Sequence, residues 1–162
     1  MTRYRMRQKL FAIGDDFTIE DEHGNPAYEV DGKAFSLRDR FELKDRQGNV
    51  VATIRGKLMS IREKMDILRG DDVAATVTKA LFAPFRTKFD VKIAGGHDLD
   101  VDGSILDHEY TLRRDGDTIA QVSKQWFSFR DTYGIDVAAG EDDALVLAIA
   151  VAIDEMAHDD DK

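Results

Sequence analysis

From Phe17 onward the chain runs through one pattern again and again. Units open at Phe17, Phe41, Met65, Phe89 and Tyr110, every 21–24 residues, and a sixth begins at Tyr133 and stops after Tyr-Gly-Ile-Asp-Val. Each full unit holds two stretches of alternating apolar and polar residues with a glycine-bearing turn between them, so each reads as a β-hairpin. In the first unit Phe17 and Ile19 share a parity with Tyr28 and Val30, and His23-Gly24-Asn25-Pro26 makes the turn, where glycine supplies a positive φ. Phe41, Leu43, Gln47-Gly48-Asn49, Ala52 and Ile54 repeat the arrangement. Alternate residues of a strand share a face, so these apolar positions form one buried surface. Thr18, Glu20, Glu29, Glu42, Lys44 and Thr53 are then expected to face water. The segment before the repeats alternates as well, with Tyr4, Met6, Gln8 and Leu10 on one parity and Arg3, Arg5, Arg7 and Lys9 on the other. Two strands per unit, plus one before and one after, give about twelve antiparallel strands. A sheet of that size splits or closes to hide its edges.

The end of the sequence selects closure. Ala144 to Ile153 is apolar without a break, preceded by Glu141-Asp142-Asp143 and followed by Asp154-Glu155. A helix that is apolar on every side must be surrounded, and this run is shorter than the roughly 20 residues a membrane span needs. The consistent solution is mainly β: a closed antiparallel barrel of about twelve strands with this helix at its centre. We therefore expect a single domain over residues 1–162, with 142–157 as the central helix and 158–162 as an acidic tail. Acidic residues suit the positive N-terminal end of the helix dipole. Asp154 and Glu155 at the other end need nearby cations, for which the Arg3, Arg5 and Arg7 stripe is one candidate.

Charge and cysteine content narrow the function classes. A net charge of −9 disfavours general nucleic-acid binding. The absence of cysteine excludes disulfides, thiol catalysis and thiolate metal sites, and fits a reducing compartment. The opening Met-Thr-Arg-Tyr-Arg-Met-Arg-Gln-Lys-Leu-Phe lacks the apolar run of a secretory signal. A cytoplasmic location, peripheral to a membrane at most, is the expectation, and no transmembrane segment is read. No phosphate-binding glycine loop, Gly-x-Ser-x-Gly or His-Glu-x-x-His pattern occurs, so the chain reads as a non-enzyme without a cofactor.

The segment Ser123-Lys-Gln-Trp-Phe-Ser-Phe-Arg-Asp-Thr-Tyr-Gly-Ile-Asp-Val137, the apolar run that follows, and Lys9 to Leu37 resemble the LURP-one-related family. That family has the tubby-like fold, similar to phospholipid scramblases and to the Tubby carboxy-terminal domain. The resemblance covers the whole chain and implies a twelve-stranded barrel around a central apolar helix. It leaves the activity open, although Tubby relatives bind phosphoinositides and scramblases are associated with lipids and calcium. The chain has no cysteine cluster for palmitoylation, and Asp131 to Asp142 carries fewer acidic residues than the scramblase calcium segment.

Two patterns could carry function. Asp98, Asp100, Asp102, Gly103 and Glu109 satisfy the Asp-x-Asp-x-Asp-Gly-x5-Glu spacing of a calcium loop. The flanks on both sides read as strands where that loop needs helices, so the favoured reading is a solvated outer row of aspartates with Leu99 and Val101 pointing inward. The second pattern comes from sorting the turns. One class is acidic, at Asp21 to Asn25, Asp45 to Asn49, Gly70 to Asp72, Gly96 to Asp98 and Asp115 to Asp117. The other mixes cations with apolar residues, around Lys33-Ala-Phe35, Lys57-Leu-Met59, Lys79 to Arg86 and Lys124 to Arg130. In an up-and-down barrel the two classes collect at opposite rims. Lys33, Lys57, Arg62, Lys124, Trp126 and Arg130 are the candidate contacts for anionic phospholipid head groups. The alternative is a protein-interaction scaffold, in which Phe35, Met59, Phe82 and Trp126 fold inward and plug the barrel.

Overall fold

The alternation becomes twelve strands and one helix in the computed structural model, which describes residues 2–7, 17–32, 40–57, 63–82, 86–126 and 132–157. The strands are β1 (Thr2–Arg7), β2 (Phe17–Asp21), β3 (Pro26–Asp31), β4 (Arg40–Lys44), β5 (Val50–Lys57), β6 (Glu63–Arg69), β7 (Asp72–Phe82), β8 (Arg86–Ile93), β9 (Leu99–Ser104), β10 (Glu109–Arg114), β11 (Asp117–Ser123) and β12 (Thr132–Val137). Helix α1 spans Asp143–Ala157. Every strand pairs antiparallel with its sequence neighbour, and β1 pairs with β12 to close the barrel. That closing ladder runs from Thr2 opposite Val137 to Arg7 opposite Thr132.

The inward parity holds the core. Met6, Ile19, Val30, Leu43, Ile54, Ile67, Val77, Val91, Leu112 and Ile135 are fully buried. They surround α1, whose Leu147, Ile149, Val151 and Ile153 alternate with Ala148, Ala150 and Ala152, all buried too. The alanines keep the helix slim on the sides where strands approach closely, and α1 packs mainly against β5, β6, β7 and β12. At about 1.5 Å per residue its 15 residues span roughly 22 Å, enough to run from one rim to the other. The outward parity is mostly wet, as expected for Thr18 and Glu29. Thr53 departs from that expectation. It is buried, as is the outward-facing Asp66 on the next strand, which accepts from Thr76 Oγ1 at 2.9 Å and lies 3.4 Å from Arg55 Nη2. Thr53 itself lies opposite Leu68 on one side and Glu42 on the other, and these longer side chains flank the short threonine.

Two of the turns are near copies. Asp21 Oδ1 accepts from the backbone N–H of His23 and Asn25, and Asp45 Oδ1 from those of Gln47 and Asn49, each at 2.9 Å. Gly24 and Gly48 close them at a φ of 85°. The Asn25 and His23 amides hold the Asp21 carboxyl below the usual carboxylate range. These turns, with 70–71, 94–98, 115–116 and the loop at 138–142, form what we term the entry rim, because α1 enters the barrel there. The other ends of the strands, with the β9–β10 turn at 105–108, form the opposite, far rim.

Gly103 marks the tightest approach in the wall. A Cβ on it would lie 2.5 Å from Glu109 O and 2.8 Å from Tyr110 Cα, and its φ is 123°. Gly103→Ala is therefore expected to destabilise the protein by about 2 kcal/mol or more, because backbone atoms of β10 cannot step aside. Urea denaturation checks this, and a midpoint equal to that of the parent would contradict it.

Candidate functional site

Both ends of α1 are fastened by side chains from the wall. At the entry rim Asp142 caps the helix, its Oδ1 accepting from Leu145 N–H at 3.2 Å. Arg69 Nη1 donates to Asp142 Oδ2 at 2.7 Å, Arg114 donates twice to Glu141 at 2.9 and 3.1 Å, and the Tyr4 hydroxyl donates to Asp143. The ends of β6 and β10, together with β1, thus hold the loop that feeds the helix. Burial, then the bond to Asp143, pushes the Tyr4 phenol far above its ordinary range.

At the far rim the helix ends in a buried polar cluster. His108 ends the β9–β10 turn at a φ of 54°, with its N–H donating to Ile105 O at 3.1 Å, and its side chain has no exposed surface. His108 Nε2 lies 2.5 Å from Asp154 Oδ1, and the Tyr133 hydroxyl donates to Asp154 Oδ2 at 3.2 Å. The imidazole stacks on the Tyr133 ring with centroids 4.2 Å apart. Burial first, and then the charge on Asp154, pushes the phenols of Tyr133 and Tyr110 well above their ordinary range, so both remain protonated donors at neutral pH. Lys79 reaches inward from β7 and its Nζ donates to Met156 O at 2.8 Å. The last turn of α1 contains no basic residue, so this ammonium supplies the positive charge that a helix C-terminus favours.

Two arginines of the proposed stripe are engaged elsewhere, and the side chain of the third, Arg7, lies outside the described residues. Arg3 is clamped to Asp136 through Nε at 2.6 Å and Nη2 at 2.9 Å, and Arg5 pairs with Glu20 at 3.3 Å, both on the outward parity of β1. Outward arginines cannot cross the wall to the helix. Parity alone placed Lys79 inside, since it shares the inward register of Ala75 and Val77.

Of the candidate rim residues, Lys33, Arg62 and Arg130 lie outside the described residues. Lys57 ends β5 at the far rim. Lys124 follows β11, and its backbone N–H donates to Glu109 Oε1 at 2.9 Å. Trp126 stacks beneath the Arg3 guanidinium, 4.2 Å from the ring centroid. It lies with the outward face of β1 and β12 instead of inside the barrel, and β12 is buried on both faces. Phe35 and Met59 are outside the described residues.

The aspartate row is spread along β9 as its strand register requires. Asp98 and Asp100 are exposed, Leu99 is buried, and Asp102 pairs with Arg113 at 3.3 Å. Glu109 is committed elsewhere, its Oε1 accepting from Ser123 Oγ and Lys124 N–H. Gly103 is explained by the approach to β10. Among the described residues no group of three or more His, Asp or Glu side chains is placed to hold a metal ion.

Residues 2–154 match the family model described as LURP-one-related. The chain belongs to the LURP-one-related family. An uncharacterized protein of Bacillus subtilis, YxjI, is 32% identical over 157 residues, covering 96% of this chain and 94% of the relative. The fold of this family member is also similar to a crystal structure of an Arabidopsis thaliana protein, with a TM-score of 0.68 and 24% identity over 96% of this chain and 91% of that one. That likeness establishes the barrel and its central helix.

Two outcomes follow from this geometry. His108→Ala is expected to cost about 2–3 kcal/mol by removing one of the bonds to a buried carboxylate together with the ring that packs on Tyr133, whereas Tyr133→Phe should cost about 1 kcal/mol. Chemical denaturation ranks the two, and the reverse order would refute the role given to His108. Millimolar calcium is expected to leave the melting temperature unchanged; a rise abolished by Asp98→Ala and Asp102→Ala would establish a site.

Proposed function

We propose that the protein is a non-catalytic binding protein whose far rim meets anionic phospholipid head groups. The observation that carries this reading is the sorting of charge by an up-and-down topology. Entry-rim turns gather Asp21, Asp45, Asp98, Asp115 and Asp142. The strand ends at the far rim lead into the connections that contain Lys33, Lys57, Arg62, Lys124 and Arg130. A surface that is cationic and aromatic on one side and acidic on the other orients itself on a negatively charged bilayer. No helix among the described residues is long and apolar enough to cross a membrane, and the apolar run of α1 is enclosed, so the contact proposed is peripheral. The family's similarity to Tubby and scramblase domains supports the same ligand class.

One observation favours a second reading, a scaffold for another protein. Trp126 is held under Arg3, which leaves it half-buried on the wall, while Leu106 in the β9–β10 turn is 64% exposed. Vesicle sedimentation separates the two. Binding is expected to vesicles containing phosphatidylserine or a phosphoinositide and not to phosphatidylcholine alone, and to weaken steeply with salt. At about 1 kcal/mol per cation near the surface, Lys57→Glu combined with Lys124→Glu should weaken it by tenfold or more. Salt-insensitive binding, or none, would remove the lipid reading and leave the scaffold.

A further inference from the structure

A cavity of about 350 Å³ opens at the entry rim, between β1, β2, β3 and the β4–β5 turn. Its lining includes Tyr4, Tyr28, Asp21, Asp45, Arg46 and Gln47. The two tyrosine rings lie 5.9 Å apart at 60°, which makes one wall aromatic. The carboxylates beside them are held in place by the turn they build. Asp21 and Asp45 each spend Oδ1 on two backbone amides. The second oxygens make only long contacts, from Asp21 to Arg46 Nη2 at 3.5 Å and from Asp45 to Asn49 Nδ2 at 3.4 Å. Fixed carboxylates with lightly engaged outer oxygens beside aromatic faces are a receptor for positive charge.

The field at the site has the same sign. Burial is the largest cause that raises the Tyr28 phenol, and the charges of Asp143, Asp142 and Asp45 add to it. An anionic ligand would be repelled. The protein already holds one guanidinium at this cavity, since Arg46 is more than half exposed and rests at a loose distance from Asp21. Arg46 marks where a cation sits, and a surface side chain in a long ion pair is displaced at little cost.

We infer that this cavity binds an organic cation, a primary ammonium or guanidinium group that replaces Arg46 between the Asp21 and Asp45 carboxylates and the Tyr4–Tyr28 wall. The site is on the rim opposite the lipid-facing one, so it would operate while the far rim is occupied. The group has two possible sources, a free polyamine or a basic side chain of a partner protein, and the chemistry recognised is the same.

Titration of the full chain at fixed ionic strength tests this, with spermidine and a short blocked Arg-Arg peptide as separate probes and the backbone amide resonance of Gln47, unchanged in every variant, as the readout. At least one probe should saturate in the millimolar range or below, and the one that binds more tightly identifies the source. Arg46→Ala is expected to tighten binding about threefold by removing the internal competitor, whereas Tyr28→Leu and Asp45→Asn should each weaken it about three- to fivefold. Asparagine retains the Oδ1 acceptor of the turn, so the Asp45 variant remains informative if Tyr28→Leu fails to fold. Asp98→Asn, on the same rim but outside the cavity, should bind like the parent. An equal loss in Asp98→Asn would show only a diffuse acidic surface and overturn the site. So would unchanged affinity in Arg46→Ala, or no saturation with either probe.

Discussion

The structure depends on enclosing a helix that has no polar face. Ala144 to Ile153 can be stable only where every side meets apolar side chains, because exposing such a run costs roughly 25 cal/mol for each Å² left in water. An open sheet would cover one side of it. A ring of twelve strands covers all sides, and the helix in turn fills a space that strand side chains alone would leave void. Barrel and helix are thus conditions for one another.

An apolar cylinder in an apolar sleeve has little to fix its depth or rotation, since dispersion contacts change slowly as one surface slides past another. Polar groups at the two ends set the register. Asp142 and Asp143 tie one end to Arg69 and Tyr4, and Asp154 ties the other to His108 and Tyr133. These bonds add modest stability after desolvation, but their geometry is satisfied at a single helix position. The acidic residues flanking the helix in the sequence serve this purpose at both ends, with the partner groups drawn from distant strands.

How far the sequence was legible follows from what each signal encodes. Parity in a strand is local, so Ile19, Val30, Leu43 and Ile54 were readable one by one. The Asp-x-x-Gly-Asn turns carry their own hydrogen-bond plan, and the helix declares itself by an unbroken apolar run. The His108–Asp154 pair spans 46 residues and the Lys79 bond to the helix end spans 77, and neither leaves a periodic trace. Nothing in the pattern singles out His108, which ends a turn at a positive φ with its ring buried. Thr53 was misplaced because its flanking by Glu42 and Leu68 depends on which strands become neighbours and in what register. The calcium spacing matched because aspartates on alternate strand positions and a glycine needed for close approach reproduce it by coincidence.

The ladder between β1 and β12 joins residues as far apart as Arg3 and Asp136, 133 positions along the chain. All other strand pairs join sequence neighbours and can zip as hairpins within microseconds, but this one must await the whole of the intervening chain. During synthesis β12 and α1 emerge after the other strands. Until then the growing sheet has two raw edges and an unfilled apolar interior, the state most open to pairing with another molecule. Ring closure is therefore expected late in folding, and the Arg3–Asp136 clamp with Trp126 stacked on it sits at the seam where it is completed.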